Sequence, residues 1–155
     1  MNMTRAALPW LALGLALASL AACAGECTPQ VREGWVRMPP GPMASATMPM
    51  LAGYGRIDNA CATPATIVSV TSPAFADASL HETRLVDGIS RMRAVPALRI
   101  APRSAAVLER GGLHLMLMQP RAPLRSGSKV AVEFRLQDGR TLRGEFELRG
   151  ETAAE

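Results

Sequence analysis

The chain has 155 residues, with 17 basic and 13 acidic side chains, a formal charge of +4, two histidines, three cysteines and nine methionines. That length suits a single domain with a real hydrophobic core. The basic residues are almost all arginines, scattered without a long run, which argues against a nucleic-acid surface and describes a solvated face.

The chain opens with a weakly positive start ending at Arg5, followed by a nearly uninterrupted Ala- and Leu-rich run over residues 6–20. Small residues follow, in Leu20-Ala21-Ala22-Cys23. This is the layout of a secretory signal peptide. The run falls short of the roughly 20 apolar residues that a membrane span requires. Leu20-Ala21-Ala22-Cys23 also resembles the bacterial lipobox, in which the cysteine is lipidated and becomes the first residue of the mature protein. The competing reading is ordinary cleavage after Ala24, because Ala22-Cys23-Ala24 fits the small-x-small rule. On the lipoprotein reading, residues 1–22 are the signal peptide, Cys23 carries the lipid and residues 23–33 form a short linker. Ala24 in place of Asp then points to the outer membrane, with the domain in the periplasm. Removing residues 1–22 takes away Arg5 and no acid, so the mature charge is +3.

Either cut leaves Cys27 and Cys61 in an oxidising compartment, where a disulfide persists. A bridge between them closes a loop of about 35 residues and stabilises the fold by about 3 to 4 kcal/mol in the chain-entropy picture. The competing use is thiolate ligation of a metal. Reversible redox work is not expected, as there is no Cys-x-x-Cys.

Residues 34–38 read as a first strand, stopped by Pro39-Pro40-Gly41-Pro42. Residues 39–50 are a loop carrying Met43, Met48 and Met50, which fits either a flap over a metal site or a cover for one end of a β core. Further strands are expected at 51–57 and at the β-branched run 66–70. Residues 79–95 read as a hairpin turning at Asp87-Gly88. Short strands follow at 98–100, 105–108 and 113–118, and a last hairpin, 129–136 with 141–148, turns at Asp138-Gly139. No 3.6-residue apolar period is sustained after the leader. Short strands separated by Gly and Pro turns predict an all-β, antiparallel sandwich or barrel in one domain, 34–150, with residues 151–155 as a frayed tail.

Both histidines lie between residues 81 and 118. Ten residues separate His81 from Met92, twenty-one separate Met92 from His114, and one separates His114 from Met116. A two-residue turn at Asp87-Gly88 pairs residue 83 with residue 92. Strand side chains alternate, so His81, Thr83 and Met92 share a face, with His81 and Met92 as diagonal neighbours. His114, Met116 and Met118 alternate with Leu113, Leu115 and Leu117, so one face of that strand is pure leucine and the other offers imidazole and thioether. Neutral imidazoles and thioethers select Cu(I), whereas hard metals require carboxylates. The expected donors are His81, Met92, His114 and Met116, with Met118 in reserve.

The spacing resembles the signature of the PCu(A)C periplasmic copper chaperones, a cupredoxin-like domain. The likeness extends to Trp35-Val36-Arg37 with Pro40-Gly41, to Ala52-Gly53-Tyr54 with Ile57 and Asn59, to Leu80-His81-Glu82, to Asp87-Gly88 and to Gly111-Gly112 before His114. The resemblance implies one Cu(I) held by His81, Met92, His114 and Met116. It also implies delivery to a copper-accepting protein such as a terminal oxidase subunit during assembly. Two departures stand out. Glu82 occupies a position where many members carry a second Met, and the chain ends without the His- and Met-rich tail of some members.

A blue-copper electron carrier is disfavoured, because no Cys lies near His114 or Met116. A hydrolase is disfavoured by the absence of Gly-x-Ser-x-Gly and of His-Glu-x-x-His. The expectation is a non-enzymatic, lipid-anchored, monomeric copper metallochaperone with no nucleic-acid partner. The alternatives are periplasmic copper sequestration or resistance, and a β-sandwich interaction module in which the His and Met residues are incidental.

Overall fold

The computed structural model describes residues 26–39 and 50–150. The leader, Cys23, Met43, Met48 and the 151–155 tail lie outside the described residues. Ten strands follow one another: β1 (Gln30–Arg37), β2 (Met50–Asn59), β3 (Ala65–Thr71), β4 (Phe75–Val86), β5 (Ile89–Ala94), β6 (Leu98–Ile100), β7 (Ser104–Leu108), β8 (Leu113–Pro120), β9 (Lys129–Leu136) and β10 (Thr141–Arg149). No helix occurs among the described residues.

The sheet runs β5-β4-β8-β2-β1-β10-β9-β3-β6, with β7 paired to β2 off this path. Alternation drives its closure. Leu51, Ile57, Leu80, Leu115 and Leu117 from one half join Ile67, Val132, Phe134, Phe146 and Leu148 from the other in one buried cluster. The sheet is therefore folded back on itself around a common core, the all-β sandwich that the strand and turn pattern predicts and the cupredoxin-like domain that the family resemblance implies. Phe134 and Phe146 fill its centre, with ring centroids 6.3 Å apart.

Two expectations change. The sheet is not purely antiparallel, because β1 and β10 pair in parallel, with Trp35 opposite Glu147 and Val36 opposite Leu148. The two strands lie at opposite ends of the chain, so no turn signal announces their pairing. The first strand also begins at Gln30, inside the segment read as linker. The register of β1 on β2 shifts between Arg32 and Trp35, where Glu33 has φ 53°. That bulge lets Val31 and Val36, an odd number of residues apart, both pack against the core. A two-residue period is broken at that point, so local patterning hides the strand.

The β1–β10 seam is close. A Cβ on Gly144 would stand 2.5 Å from Val31 Cγ1. Beside the seam, Cys27 and Cys61 form a disulfide with Cα atoms 5.5 Å apart, which removes the thiolate-ligand reading. Asn59, almost fully buried, organises this end of the fold. Its side-chain amide donates to the carbonyls of Thr63, Ile100 and Ala101, and its oxygen accepts from the Cys61 amide. Two stability outcomes are expected in chemical denaturation. Cys27→Ser with Cys61→Ser should cost about 3 to 4 kcal/mol, and Gly144→Ala about 1 to 3 kcal/mol through overpacking against Val31.

Candidate metal centre

β4 is the middle strand of the site, with β5 on one side and β8 on the other. The Asp87-Gly88 turn has positive φ at both residues, 53° and 75°, the geometry of a two-residue hairpin whose twist matches its strands. It pairs Val86 with Ile89 and Thr83 with Met92, so Met92 is the diagonal neighbour of His81 on one face. β8 lies antiparallel on the other flank. His81 faces His114, Ser79 faces Met116 and Asp77 faces Met118. Residues directly opposite share a face, so His81, Met92, His114 and Met116 stand on the outer side of the same three-stranded patch. The inner side of β8 is Leu115 and Leu117, both 0% exposed.

The two imidazole rings are 6.3 Å apart between centroids, tilted by 33°. His114 is buried and its Nδ1 lies 2.9 Å from the Gly112 carbonyl oxygen. A carbonyl only accepts, so Nδ1 carries the proton and donates. The same carbonyl accepts the Thr83 amide, which ties the turn before β8 to β4. In the neutral ring Nε2 is then an unprotonated lone pair. It faces Met92 Sδ at 3.3 Å, a second lone-pair atom. An imidazole nitrogen and a thioether sulfur so placed can both donate to one soft cation. Nitrogen and sulfur ligands at about 2.0 and 2.3 Å from one ion stand about 3 to 4 Å apart, so this pair needs no rearrangement to close on one.

His81 is half-buried, and its Nε2 is 3.1 Å from Ser79 Oγ. Burial, followed by the neighbouring His114 ring, lowers its pKa below the usual imidazole value, with the Asp77 carboxylate opposing. His81 is thereby held neutral, the form that donates to a metal. Met116 lies between Ser79 on β4 and Ala52 on β2, small neighbours that leave its thioether room. Met92 is 53% exposed on the edge strand, so the site opens to solvent on that side.

Glu82 points away from this group. It follows His81 and so lies on the opposite face, where its carboxylate binds Arg84 and, through two contacts of 2.7 and 3.1 Å, Arg93. Its hydrogen bonds to Arg84 first, then Arg93, hold its carboxyl below the usual carboxylate range. Met118 lies two rungs beyond His114 along β8, opposite Asp77 and Met50 rather than beside the imidazoles. Two contributors to the site were missed in the sequence, Ser79 and the Gly112 carbonyl. Each sits two residues before a histidine, the spacing at which a strand returns to the same face.

Comparison with known proteins places the chain. Residues 30–148 match the LpqE-like family, described as "Putative lipoprotein LpqE-like". A protein of Leifsonia xyli subsp. xyli named "Putative lipoprotein Lxx21020" is 36% identical over 113 residues, covering 72% of this chain and 64% of its own length. This chain thus spans under two thirds of that relative. Among solved structures, apo-DR1885 from Deinococcus radiodurans is 27% identical over the full length of both chains, with a TM-score of 0.60. The Cu(I) form of DR1885 is 26% identical over 82% of this chain and 83% of that one, with a TM-score of 0.57. The copper-bound PCuAC domain of PmoF2, 16% identical over 79% of this chain and 92% of that one, has a TM-score of 0.60 and shares the fold. The chain belongs to the LpqE-like family and is built on the PCuAC fold.

Proposed function

We propose that this chain is an exported copper metallochaperone. It binds one Cu(I) through His81, Met92, His114 and Met116 and passes it to a copper enzyme, without catalytic turnover. The observation that carries this reading is the 3.3 Å approach of His114 Nε2 to Met92 Sδ, with the ring oriented by the Nδ1 contact to the Gly112 carbonyl. The copper-bound similar structures support it, DR1885 foremost, whose Cu(I) form matches over 82% of this chain and whose apo form matches over all of it. The ion is cargo. All four donors are neutral, so the complex keeps a single positive charge near solvent and favours transfer over burial. Release proceeds by ligand exchange, with Met92 the most exposed donor and the natural first point of attack by an acceptor's sulfur or imidazole.

The acceptor suggested by the family resemblance is the copper centre of a terminal oxidase subunit. Lipidation of Cys23 would tether the domain to the outer membrane, facing the periplasm, and the lipoprotein names of the family and of the Leifsonia protein support an anchor. Mass spectrometry of the mature N-terminus reads this directly: a diacylglyceryl adduct on Cys23 is expected, and an unmodified N-terminus after Ala24 contradicts it.

Two outcomes test the site. His114→Ala with Met116→Leu should lower Cu(I) affinity by more than about 100-fold in chelator competition, beyond the 10- to 100-fold typical of removing an outer-shell partner. An unchanged affinity removes the proposal. The pH dependence follows from His81. Its lowered pKa means that protons compete for the ring only at a pH below the usual imidazole value of about 6.5. On acidification, proton competition at His81 should therefore weaken Cu(I) affinity only at a lower pH than an ordinary imidazole ligand would, a shift that chelator competition across pH reads.

A further inference from the structure

Beyond the four donors, a second row of soft side chains crosses the same sheet face. Met118 of β8 stands directly opposite Asp77 of β4 on one side and Met50 of β2 on the other. The three side chains therefore share one rung and one face. Their face is that of His114 and Met116, since residues 114, 116 and 118 alternate with the buried leucines. Met50 is 58% exposed and Asp77 is exposed, and neither methionine joins the hydrophobic core. Met118 is half-buried and Met50 exposed, so both thioethers stand at the outer face and outside the hydrophobic cluster of the described residues. The carboxylate beside them supplies attraction for a cation and one oxygen donor.

The rung is also placed in line. Met116 lies one step along β8 between Met118 and His114, and each two-residue step spans about 7 Å, a gap that flexible methionine side chains bridge. The two ends of this row differ in strength for a monovalent soft ion: two thioethers with a carboxylate at one end, thioethers with two imidazoles at the other, and the single thioether of Met116 between them as a relay. On either side of Met116 stand small residues, Ala52 on β2 and Ser79 on β4.

We propose that Met50, Met118 and Asp77 form a second, weaker station for a monovalent soft metal ion, from which the ion passes by way of Met116 to the His81 and His114 pair. This rests on the copper reading of the four-donor site. The Met116 sulfur bonds the ion as the Met50 and Met118 sulfurs and the Asp77 oxygen release it, and the imidazole nitrogens of His81 and His114 with the Met92 sulfur then complete its coordination while Met116 stays bound. No electron or proton moves.

The test uses the chain labelled with 13C at its methionine methyls, assigned by single Met→Leu substitutions and titrated anaerobically with Cu(I). The first equivalent should shift Met92 and Met116, and the second should shift Met50 and Met118. Met50→Leu with Met118→Leu should abolish the second event while leaving the first within about twofold, and Asp77→Asn should weaken the second about threefold, the scale of one exposed charge interaction. Methyls of Met50 and Met118 that stay still through two equivalents, or a second event that survives the double substitution, overturn the station. Silence of Met92 and Met116 at the first equivalent instead overturns the four-donor reading. The two failures are distinguished because each is read on its own resonances.

Discussion

The pairing of β4 with β8 is the constraint on which the molecule depends. One register sets Leu80 beside Leu115 and Ala78 beside Leu117 on the inner face, and His81 beside His114 on the outer face. A slip of one residue would turn Leu115 and Leu117 to solvent and drive His114 and Met116 into the core. Each leucine so exposed forfeits about 1.5 to 3 kcal/mol of burial. The apolar core and the candidate metal centre are therefore held by the same ladder of hydrogen bonds, and all four candidate donors, carried on strands, inherit the rigidity of the core.

Polar contacts then set the chemistry of the outer face. The Gly112 carbonyl takes the proton side of the His114 ring and aims the other nitrogen at the Met92 sulfur. This is the outer-shell orientation by which proteins fix the tautomer of a ligating histidine. Burial keeps the His81 ring neutral. Two arginines of the hairpin, Arg84 and Arg93, are tied back by Glu82 on the other face, so their charge is partly compensated away from the donors. A site of neutral donors with one exposed thioether is suited to holding a monovalent ion and giving it up.

The local part of this arrangement was legible in the sequence. Asp87-Gly88 specifies its turn, the turn specifies the pairing of Thr83 with Met92, and the alternation of Leu with His and Met specifies which face of β8 turns inward. The all-β class follows from the same signals. What was not legible depends on distant pairing. The twenty-one residues between Met92 and His114 hold β6 and β7, which leave for other parts of the sheet, so nothing local says that β8 returns to the flank of β4. The parallel seam of β1 with β10 joins the two ends of the domain, and the bulge after Arg32 erases the alternation that would have extended β1 back to Gln30. Met118, a reserve donor by spacing alone, is instead aligned by register with Asp77 and Met50, a relation visible only once three strands are side by side.

The central claim is that His81, Met92, His114 and Met116 hold one Cu(I). X-ray absorption at the copper edge, on protein loaded with one equivalent, addresses it most directly. The expected result is a copper(I) edge with a first shell of two nitrogen and two sulfur scatterers. Loss of one nitrogen and one sulfur is predicted in the His114→Ala, Met116→Leu protein. A first shell of nitrogen and oxygen alone, or one unchanged by that double substitution, would contradict it.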